Sequence, residues 1–213
     1  KDIDLSKIKP VVNGDKPFFL IIAQNQPHSP WNKGDSSKYK PETLEIPEYM
    51  VDSPITRKDL SNYYAEITYM DSLLGKTLDF INQANKTNNT ISIFTSEQGY
   101  SFPFGKWTCY DLGLKTAFVA KWPGKIEPNT RNNATTQYVD IVPTLLDAIG
   151  EDPGKFNVGI SDNSGNNSFD GKSFLDALKG ETDKHRNFTF GVHTTRGIIN
   201  GSESYPIRSV RSD

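Results

Sequence analysis

The sequence predicts an α/β fold in which helices cover both faces of a β-sheet. Two short runs, 17–23 and 91–96, have the length of strands and lack the strict alternation of a half-exposed strand. A longer stretch between them, 57–83, has apolar residues at helical spacing. Buried strands that alternate with a helix are typical of an α/β sheet with covered faces.

Composition and charge exclude several classes of protein. The 213-residue chain carries 24 Lys and Arg residues against 26 Asp and Glu residues, for a net charge of −2. This balance argues against nucleic acid or an anionic membrane as a partner, because both need clustered positive charge. No apolar stretch approaches the roughly 20 residues of a membrane-spanning helix. The single cysteine, Cys109, excludes an intrachain disulfide and a Cys-rich zinc site, and we expect it to have a packing role.

The helix over 57–83 is predicted by its start as well as by its spacing. The segment 56–59 is similar to a capping box with Asp in place of Glu, and apolar residues follow at intervals of three or four up to Ile81. The preceding segment, 28–54, is rich in Pro, Ser, Lys and Tyr and has no periodicity. A loop of this length inside a compact domain is usually functional or disordered.

The remaining predicted elements complete the sheet and form a small subdomain. A third strand is predicted over 117–122, and a short helix over 140–149 ends at a glycine. After a linker over 151–167, we expect a further helix and two alternating strands, at 172–179, 187–193 and 205–210. We therefore expect two domains, 1–150 and 151–213, the second being an incomplete antiparallel α+β subdomain.

Polar residues follow the first two predicted strands, at the edge where open α/β sheets bind their ligands. His28 lies between Pro27 and Pro30 after the first strand, and prolines restrict the local backbone. Glu97 and Gln98 follow the second strand. A carboxylate and an amide oxygen suit Ca²⁺ or Mg²⁺, but two ligands are too few to complete a site. A metal at this position therefore needs further ligands.

Each of these residues also has an ordinary structural explanation. A histidine in a proline-rich turn is more often a surface or hydrogen-bonded residue than a catalytic one. Glu-Gln-Gly is a common tripeptide. Lys106 precedes Trp107, and a lysine beside a tryptophan usually covers an apolar surface with its aliphatic stem. Only the order of these features along the chain favours a functional interpretation.

That order resembles the sulfatase family of the alkaline phosphatase superfamily. The resemblance covers nearly the whole chain and rests on the motifs PFFL to PHSP (17–30), YYA to DSLLG (63–75), IFTSEQG (93–99), KWPGKI (121–126), VDIVPTLL (139–146) and DGKSFL (170–175). The tail is most similar to heparan N-sulfatase and its bacterial polysaccharide-sulfatase relatives, through HTTR (193–196) and YPIRSVR (205–211). The resemblance implies an alkaline-phosphatase-like sheet with helices on both faces.

The resemblance also implies roles for individual residues. His28 and Lys106 match the histidine and the lysine that contact the sulfate group, where donors and cations stabilise charge on the transferring group. Glu97 and Gln98 fall where the family usually has Asp followed by Asn or His, the ligands of a Ca²⁺ ion. Both residues depart from that pattern, which changes the geometry of ligation.

In the tail, the resemblance places His193, Thr194 and Arg196 beside the substrate pocket. They follow an alternating strand and precede Gly197, so we expect them on a loop. Arginine suits recognition of sulfate or carboxylate on a neighbouring sugar, because its planar fork can bind two oxygens. The alternative for Arg196 is a structural ion pair with an aspartate.

The nucleophile of the family is a formylglycine made from Cys or Ser in a Cys/Ser-x-Pro-x-Arg motif, and an Asp pair near the amino end supplies two further metal ligands. This sequence has no such Asp pair, and its one match to the motif, SYPIR at 204–208, lies in the tail, after and not before the residues matched to the sulfate contacts. Since the chain opens at Lys1 without Met and its last predicted strands would leave an unpaired edge, we expect it to be the C-terminal part of a longer enzyme. The formylglycine is then expected upstream, and the 213-residue chain alone is expected to be inactive.

The sequence is therefore interpreted as the C-terminal part of a sulfatase that hydrolyses sulfate esters or sulfamates of sulfated glycans. The resemblance implies a periplasmic or secreted enzyme with a sulfated carbohydrate substrate, and leaves heparan, carrageenan and ulvan open. Two alternatives stay open as well. One is a phosphodiesterase or phosphonate hydrolase of the same superfamily, and the other is a non-catalytic carbohydrate-binding module.

Overall fold

The chain divides into two compact units, 1–90 and 91–213. The computed structural model describes residues 4–159, 167–196 and 204–212. None of the helices in these ranges is long and apolar enough to cross a membrane. The domain boundary expected at residue 150 stays a prediction, and each of the two units is described by itself below.

The described chain begins with two helices, has helices and strands interspersed in its middle part, and ends with two strands. The α-helices are α1 (Ile8–Asn13), α2 (Pro54–Gln83), α3 (Asp111–Leu114), α4 (Ile141–Ala148) and α5 (Leu175–Lys179). The strands are β1 (Ser92–Thr95), β2 (Phe118–Lys121), β3 (Phe188–Arg196) and β4 (Ser204–Ser212). The predicted helices at 57–83 and 140–149 and the predicted strands after residue 90 are confirmed. Helix α5 begins at Leu175 and is shorter than predicted.

Helix α2 is the longest element of the first unit, and it begins at a serine cap. Ser53 Oγ accepts a hydrogen bond from the backbone N of Thr56 at 3.2 Å. Pro54 occupies the first helical position, where the backbone needs no N–H. The expected capping box at 56–59 thus lies inside the first turn, and the helix starts earlier than predicted. Its buried apolar residues are Leu60, Ala65, Leu73 and Ile81.

The core of the first unit lies where helix α1 meets the end of helix α2. Ile8 and Val12 of α1 pack with Ile81 of α2. The extended segment before the His28 turn adds alternate side chains to this cluster, namely Phe18, Leu20 and Ile22. The segment therefore contributes one apolar face to the core.

The segment 17–23 is not a β-strand, so this part of the prediction is wrong. Phe19 and Ile21 are 73% and 75% exposed, which is incompatible with burial on both faces. A strand needs a hydrogen-bonded neighbour, and none of the described strands pairs with this segment. The segment instead makes a cation–π contact with Lys86, whose amino group lies 5.6 Å from the centre of the Phe18 ring.

A buried glutamate on helix α2 orders the long segment 28–54. Glu66 is 1% exposed, and its Oε2 accepts hydrogen bonds from the backbone N of Lys33 at 2.8 Å and of Gly34 at 3.2 Å. A Cβ atom on Gly34 would lie 2.0 Å from Ala65 O, so only glycine allows the approach. The segment is thus a defined structure that packs against the helix.

The later part of the same segment is held by Arg57 of helix α2. Its guanidinium donates two hydrogen bonds to the Asp52 carboxylate, at 2.6 Å and 2.7 Å. It also donates to the carbonyl oxygens of Pro41 and Leu44, at 2.8 Å and 3.0 Å. One side chain therefore ties three points of the loop to the start of the helix.

The described residues of the second unit form two sheets, each of two antiparallel strands. Strand β1 pairs with β2, with Ile93 opposite Ala120. Strand β3 pairs with β4, with Phe190 opposite Val210. These sheets confirm the predicted antiparallel subdomain and agree with a partial α/β domain. Strand β1 is half-buried up to its exposed last residue, and strand β2 alternates half-buried and exposed residues, so the expected burial on both faces is wrong for them.

The buried carboxylate of Asp140 ties the β3–β4 hairpin to helix α4. Asp140 is 0% exposed and accepts two hydrogen bonds from the guanidinium of Arg186, which precedes β3. The backbone N atoms of Gln137 and Lys172 each donate to it at 2.9 Å. Burial by itself raises the pKa of Asp140, but the hydrogen bonds from Arg186 and the two backbone N–H groups outweigh it and lower this pKa to about 2.

Chain beyond the predicted linker packs onto the start of helix α4. A Cβ atom on Gly171 would lie 1.8 Å from Val139 O, so glycine is required for this approach. Thr144 Oγ1 accepts a hydrogen bond from the backbone N of Phe174 at 3.0 Å. Residues on both sides of position 150 are therefore in contact, while residues 160–166 of the linker lie outside the described ranges.

We expect Asp140→Ala to lower the free energy of unfolding by about 3 kcal/mol, because Arg186 would keep its largely buried charge without a partner. Urea denaturation followed by circular dichroism measures this change. Asp183→Asn is the matched control, since Asp183 is exposed, and it should change stability by less than about 0.5 kcal/mol. Equal stability of the two variants would contradict the anchoring role.

Acid should weaken the contact between Asp140 and Arg186. The folded-state pKa of Asp140 is about 2, below the ordinary value of 3.8, so the carboxylate stabilises the fold at pH values above about 4. That contribution is lost as the pH falls toward about 2. The difference in unfolding free energy between wild type and Asp140→Asn should therefore shrink over this window. A difference that stays constant down to pH 2 would contradict the lowered pKa.

Candidate functional site

His28 lies in an exposed turn with a defined backbone. Both neighbouring X-Pro peptide bonds, Gln26-Pro27 and Ser29-Pro30, are cis. Nδ1 of His28 lies 2.7 Å from Ser29 O. Because a carbonyl oxygen can only accept, Nδ1 carries the proton in this hydrogen bond. Nε2 is then the ring atom that a ligand would meet.

The His28 turn is attached to helix α2 through Trp31. The indole Nε1 of Trp31 donates to Pro27 O at 2.9 Å, which closes the turn. The ring of Trp31 meets Tyr63 of α2 edge to face, with ring centres 5.5 Å apart. His28 is thus a surface residue, as the ordinary explanation expects, but one on an anchored turn.

Glu97 and Gln98 follow strand β1, as predicted. Glu97 is exposed and Gln98 is half-buried, and Gln98 Nε2 donates to Glu97 Oε2 at 3.3 Å. The next residue, Gly99, donates its backbone N–H to Gly113 O at 2.9 Å. A Cβ atom on Gly99 would lie 1.7 Å from Leu112 O, so the close approach needs glycine. This approach fixes the backbone that carries the pair.

The chemistry of this pair fits a hard cation in part. Glu97 offers carboxylate oxygens and Gln98 offers its amide oxygen, which are ligands that Ca²⁺ accepts. Within the described residues, no group of three or more His, Cys, Asp or Glu side chains could hold a metal ion. The pair therefore provides two ligands for a site that needs more.

Lys106 lies in a turn that is held by backbone hydrogen bonds. Its backbone N donates to Tyr100 O at 2.8 Å, and the preceding Gly105 is buried. The half-buried side chain places Nζ 5.3 Å from the centre of the Trp107 ring. The lysine thus sits against an aromatic face, with its charge near the surface.

His193, Thr194 and Arg196 lie within strand β3, so their expected place on a loop is wrong. The strand is longer than predicted because β4 supplies backbone partners as far as Arg196. Successive residues of a strand point to opposite faces, so His193 and Thr194 do not share a site. The side chain of Arg196 and residues 197–203, including Gly197, lie outside what the structure describes.

The hairpin face that carries His193 packs toward the segment after Lys106. Gly191 lies on the same face as His193, and a Cβ atom on it would lie 2.4 Å from the Leu114 side chain of helix α3. Two further contacts join the hairpin to this segment, Arg211 with Asp111 at 2.5 Å and Cys109 Sγ with Ile207 O at 3.8 Å. The structure therefore brings His193, but not Thr194, to this side of the hairpin.

The predicted site residues fall into both units of the chain. His28 belongs to the first unit, and Glu97, Gln98 and Lys106 belong to the second. Sequence reasoning did not single out the aromatic residues around Lys106 as a group. The sequence does indicate this group, because five aromatic residues occur within 100–110.

Comparison with known proteins identifies one family. A family model described as Sulfatase matches residues 5–151. The chain belongs to the sulfatase family. The matched range includes His28, Glu97, Gln98 and Lys106, and the resemblance stated from the motifs is confirmed.

Two relatives illustrate this membership. An ulvan-active sulfatase of Formosa agariphila is 31% identical over 206 residues, which are 93% of this chain and 37% of the relative. The human N-sulphoglucosamine sulphohydrolase is 27% identical over 168 residues, with 62% of this chain and 31% of the relative covered. The chain thus spans 37% and 31% of the lengths of these curated relatives.

Similar solved structures confirm the fold. A structure described under the metabolism of multiple glycosaminoglycans by Bacteroides thetaiotaomicron has a TM-score of 0.75 at 20% identity, over 97% of this chain and 46% of that one. A phosphonate monoester hydrolase from Silicibacter pomeroyi has a TM-score of 0.56 at 22% identity, over 78% of this chain and 32% of that one. The expected alkaline-phosphatase-like fold is therefore confirmed. At these identities the likeness establishes the fold and not the reaction.

Proposed function

We propose that the protein hydrolyses sulfate esters or sulfamates on the sugars of a sulfated glycan. The family match over 5–151, which includes His28 and Lys106, is the observation that carries this proposal. The relatives named above are an ulvan-active sulfatase and an N-sulphoglucosamine sulphohydrolase, which supports a sulfated carbohydrate as the substrate. The proposal concerns the whole protein, and includes a periplasmic or secreted location.

His28 is proposed to donate a hydrogen bond from Nε2 to a sulfate oxygen. Its Nδ1 is already engaged with Ser29 O at 2.7 Å, so Nε2 carries a proton only when the ring is positively charged. In that form the ring and an anionic sulfate group attract each other as opposite charges. The charged ring would then stabilise negative charge that develops on the transferring group.

Lys106 is proposed to contact the sulfate group with its amino group. The backbone that carries it is fixed, because a Cβ atom on Gly105 would lie 2.1 Å from Tyr100 O and the chain is closely packed there. A fixed backbone limits the positions of the long side chain and lowers the entropy cost of binding. Lysine then acts as a compact positive charge toward the sulfate oxygens.

Glu97 and Gln98 are proposed as two ligands of a Ca²⁺ ion, with the other ligands outside the described residues. Such an ion, when bound, would neutralise charge on the sulfate group. The tight turn at Gly99 keeps both side chains at the end of strand β1. The nucleophile, a formylglycine by family resemblance, is proposed to lie in a part of the protein outside this chain.

A phosphonate hydrolase is the alternative reaction, since a phosphonate monoester hydrolase is similar to this chain in fold. Parallel assays of the whole protein with an aryl sulfate and an aryl phosphonate would separate the two reactions. The carbohydrate-binding alternative makes a different prediction. It requires that the 213-residue chain alone bind sulfated oligosaccharides whether or not Ca²⁺ is added.

We expect His28→Ala and Lys106→Ala in the whole protein each to lower kcat/KM on the order of 100-fold to 1000-fold, as the loss of one fixed donor does elsewhere. Initial rates with N-sulfoglucosamine and with an aryl sulfate measure this effect. Lys125→Ala is the matched control, because Lys125 is an exposed lysine of the same unit, and it should keep the wild-type rate.

The outcome that contradicts these roles is near-normal kinetics in a folded His28 or Lys106 variant, with folding checked by circular dichroism. For that residue, the ordinary structural explanation given above would then apply in place of the catalytic role. The 213-residue chain alone serves as a second control. Its one match to Cys/Ser-x-Pro-x-Arg, SYPIR at 204–208, lies within strand β4 of the tail hairpin, so this chain is expected to show no turnover above background.

We expect Glu97→Gln to weaken Ca²⁺ binding by about tenfold or more, since a neutral amide replaces a charged ligand. Elemental analysis and calcium titration of the whole protein measure this change, and activity should fall with it. Glu127→Gln is the matched control, because Glu127 is exposed in the same unit. Unchanged metal content in Glu97→Gln would show that another residue fills the role.

A further inference from the structure

An exposed group of aromatic side chains surrounds Lys106 in sequence. Phe104, Trp107 and Tyr110 are 49%, 54% and 62% exposed. Large aromatic rings at a surface are favoured where they bind something, because each buries much apolar area when covered. None of the roles proposed above uses these three rings.

The backbone holds two of these rings in an unfavourable conformation. Phe104 and Trp107 have φ angles of 63° and 67°, in the left-handed region that bulky residues avoid. Thr108 Oγ1 stabilises this turn, because it lies within hydrogen-bonding distance of the carbonyl oxygens of Phe104, at 2.9 Å, and of Gly105, at 2.8 Å. Strain of this kind persists where the surrounding structure enforces it, and it is concentrated at ligand sites.

The interior of this turn is filled by backbone atoms. Gly113 approaches it so closely that an added Cβ atom would lie 2.5 Å from Gly105 O and 2.7 Å from Thr108 Oγ1. Because backbone occupies the inside, the ring of Trp107 is left at the surface, 54% exposed. About half of the residue thus stays accessible to a ligand.

Trp107 is the ring that lies beside the proposed sulfate contact. Nζ of Lys106 is 5.3 Å from the centre of the Trp107 ring. A sulfated sugar whose sulfate group reaches this Nζ brings its pyranose ring to the indole, since the sulfate is attached to a substituent of that ring. Ligand sites commonly combine such an apolar aromatic surface with one charged group that sets orientation.

We propose that Trp107 stacks against the pyranose ring that carries the sulfate group held by Lys106. This inference rests on the proposed function and adds the residue that recognises the sugar. Phe104 and Tyr110 support the surface, since their rings pack edge to face with centres 5.8 Å apart. The lysine binds the sulfate group and the tryptophan selects a sugar over a small ester.

The test uses Trp107→Ala and Trp107→Gly in the whole protein. Glycine accepts a φ of 67° without strain, so Trp107→Gly should keep or raise the melting temperature while it removes the ring. Phe156→Ala is the matched control, because Phe156 is an aromatic residue of the same unit that is 40% exposed. A loss of function without a loss of stability separates binding from a structural role.

Three measurements are made with oligosaccharides of ulvan, carrageenan and heparan sulfate and with inorganic sulfate. Both Trp107 variants should raise KM by about tenfold for whichever oligosaccharide the wild type hydrolyses. Inhibition by inorganic sulfate should be unchanged, because that ion has no sugar ring to stack on Trp107. Quenching of tryptophan fluorescence by the oligosaccharide should be smaller in both variants than in the control.

The outcomes distinguish this inference from the proposed function. If the wild type hydrolyses an oligosaccharide and both Trp107 variants keep its KM, stacking is wrong and the proposed function stands. If the wild type neither binds nor hydrolyses any sulfated saccharide, the proposed function fails and the inference fails with it. If instead the wild type is a dimer and Trp107→Gly makes it a monomer, the ring belongs to a contact between copies and the inference is overturned.

Discussion

The ion pair between Asp140 and Arg186 is the constraint on which the second unit depends. A carboxylate that is 0% exposed is tolerated only because a guanidinium and two backbone N–H groups satisfy its oxygens. The pair joins helix α4 to the residues just before strand β3. It therefore sets where the hairpin begins, and with it the position of His193 and of the contacts toward the Lys106 turn.

The first unit also contains a buried carboxylate whose hydrogen bonds fix the neighbouring chain. Glu66 is buried in helix α2 and takes its hydrogen bonds from backbone N–H groups of the long segment before the helix. A buried acceptor that would be costly to leave unsatisfied thereby gives an irregular segment one conformation. This explains how 28–54, which has no periodic pattern, forms an ordered structure and holds the His28 turn beside Trp31 and Tyr63.

The turns that carry the candidate site residues are built mainly from backbone packing. Gly99 and Gly105 each allow a carbonyl oxygen to approach closer than any side chain would permit. Because backbone atoms fill these turns, the side chains of Glu97, Phe104 and Trp107 stay exposed, where a ligand can reach them. The arrangement suits a site that recognises a charged group through Lys106 and an apolar surface through the neighbouring aromatic rings.

The sequence by itself determined the family, and it determined the helices and strands that have a local sequence pattern. Helix α2, strands β1 and β2 and the β3–β4 hairpin follow from spacing and turn residues, and six ordered motifs indicate a sulfatase. Only the tertiary structure decided which elements pair and which side chains are covered. The run 17–23 looked like a buried strand, but none of the strands that the structure describes pairs with it, and it is extended chain with Phe19 exposed. Asp140 and Arg186 form an ion pair although they lie 46 residues apart in the sequence, and no local sequence pattern predicts a contact at that separation.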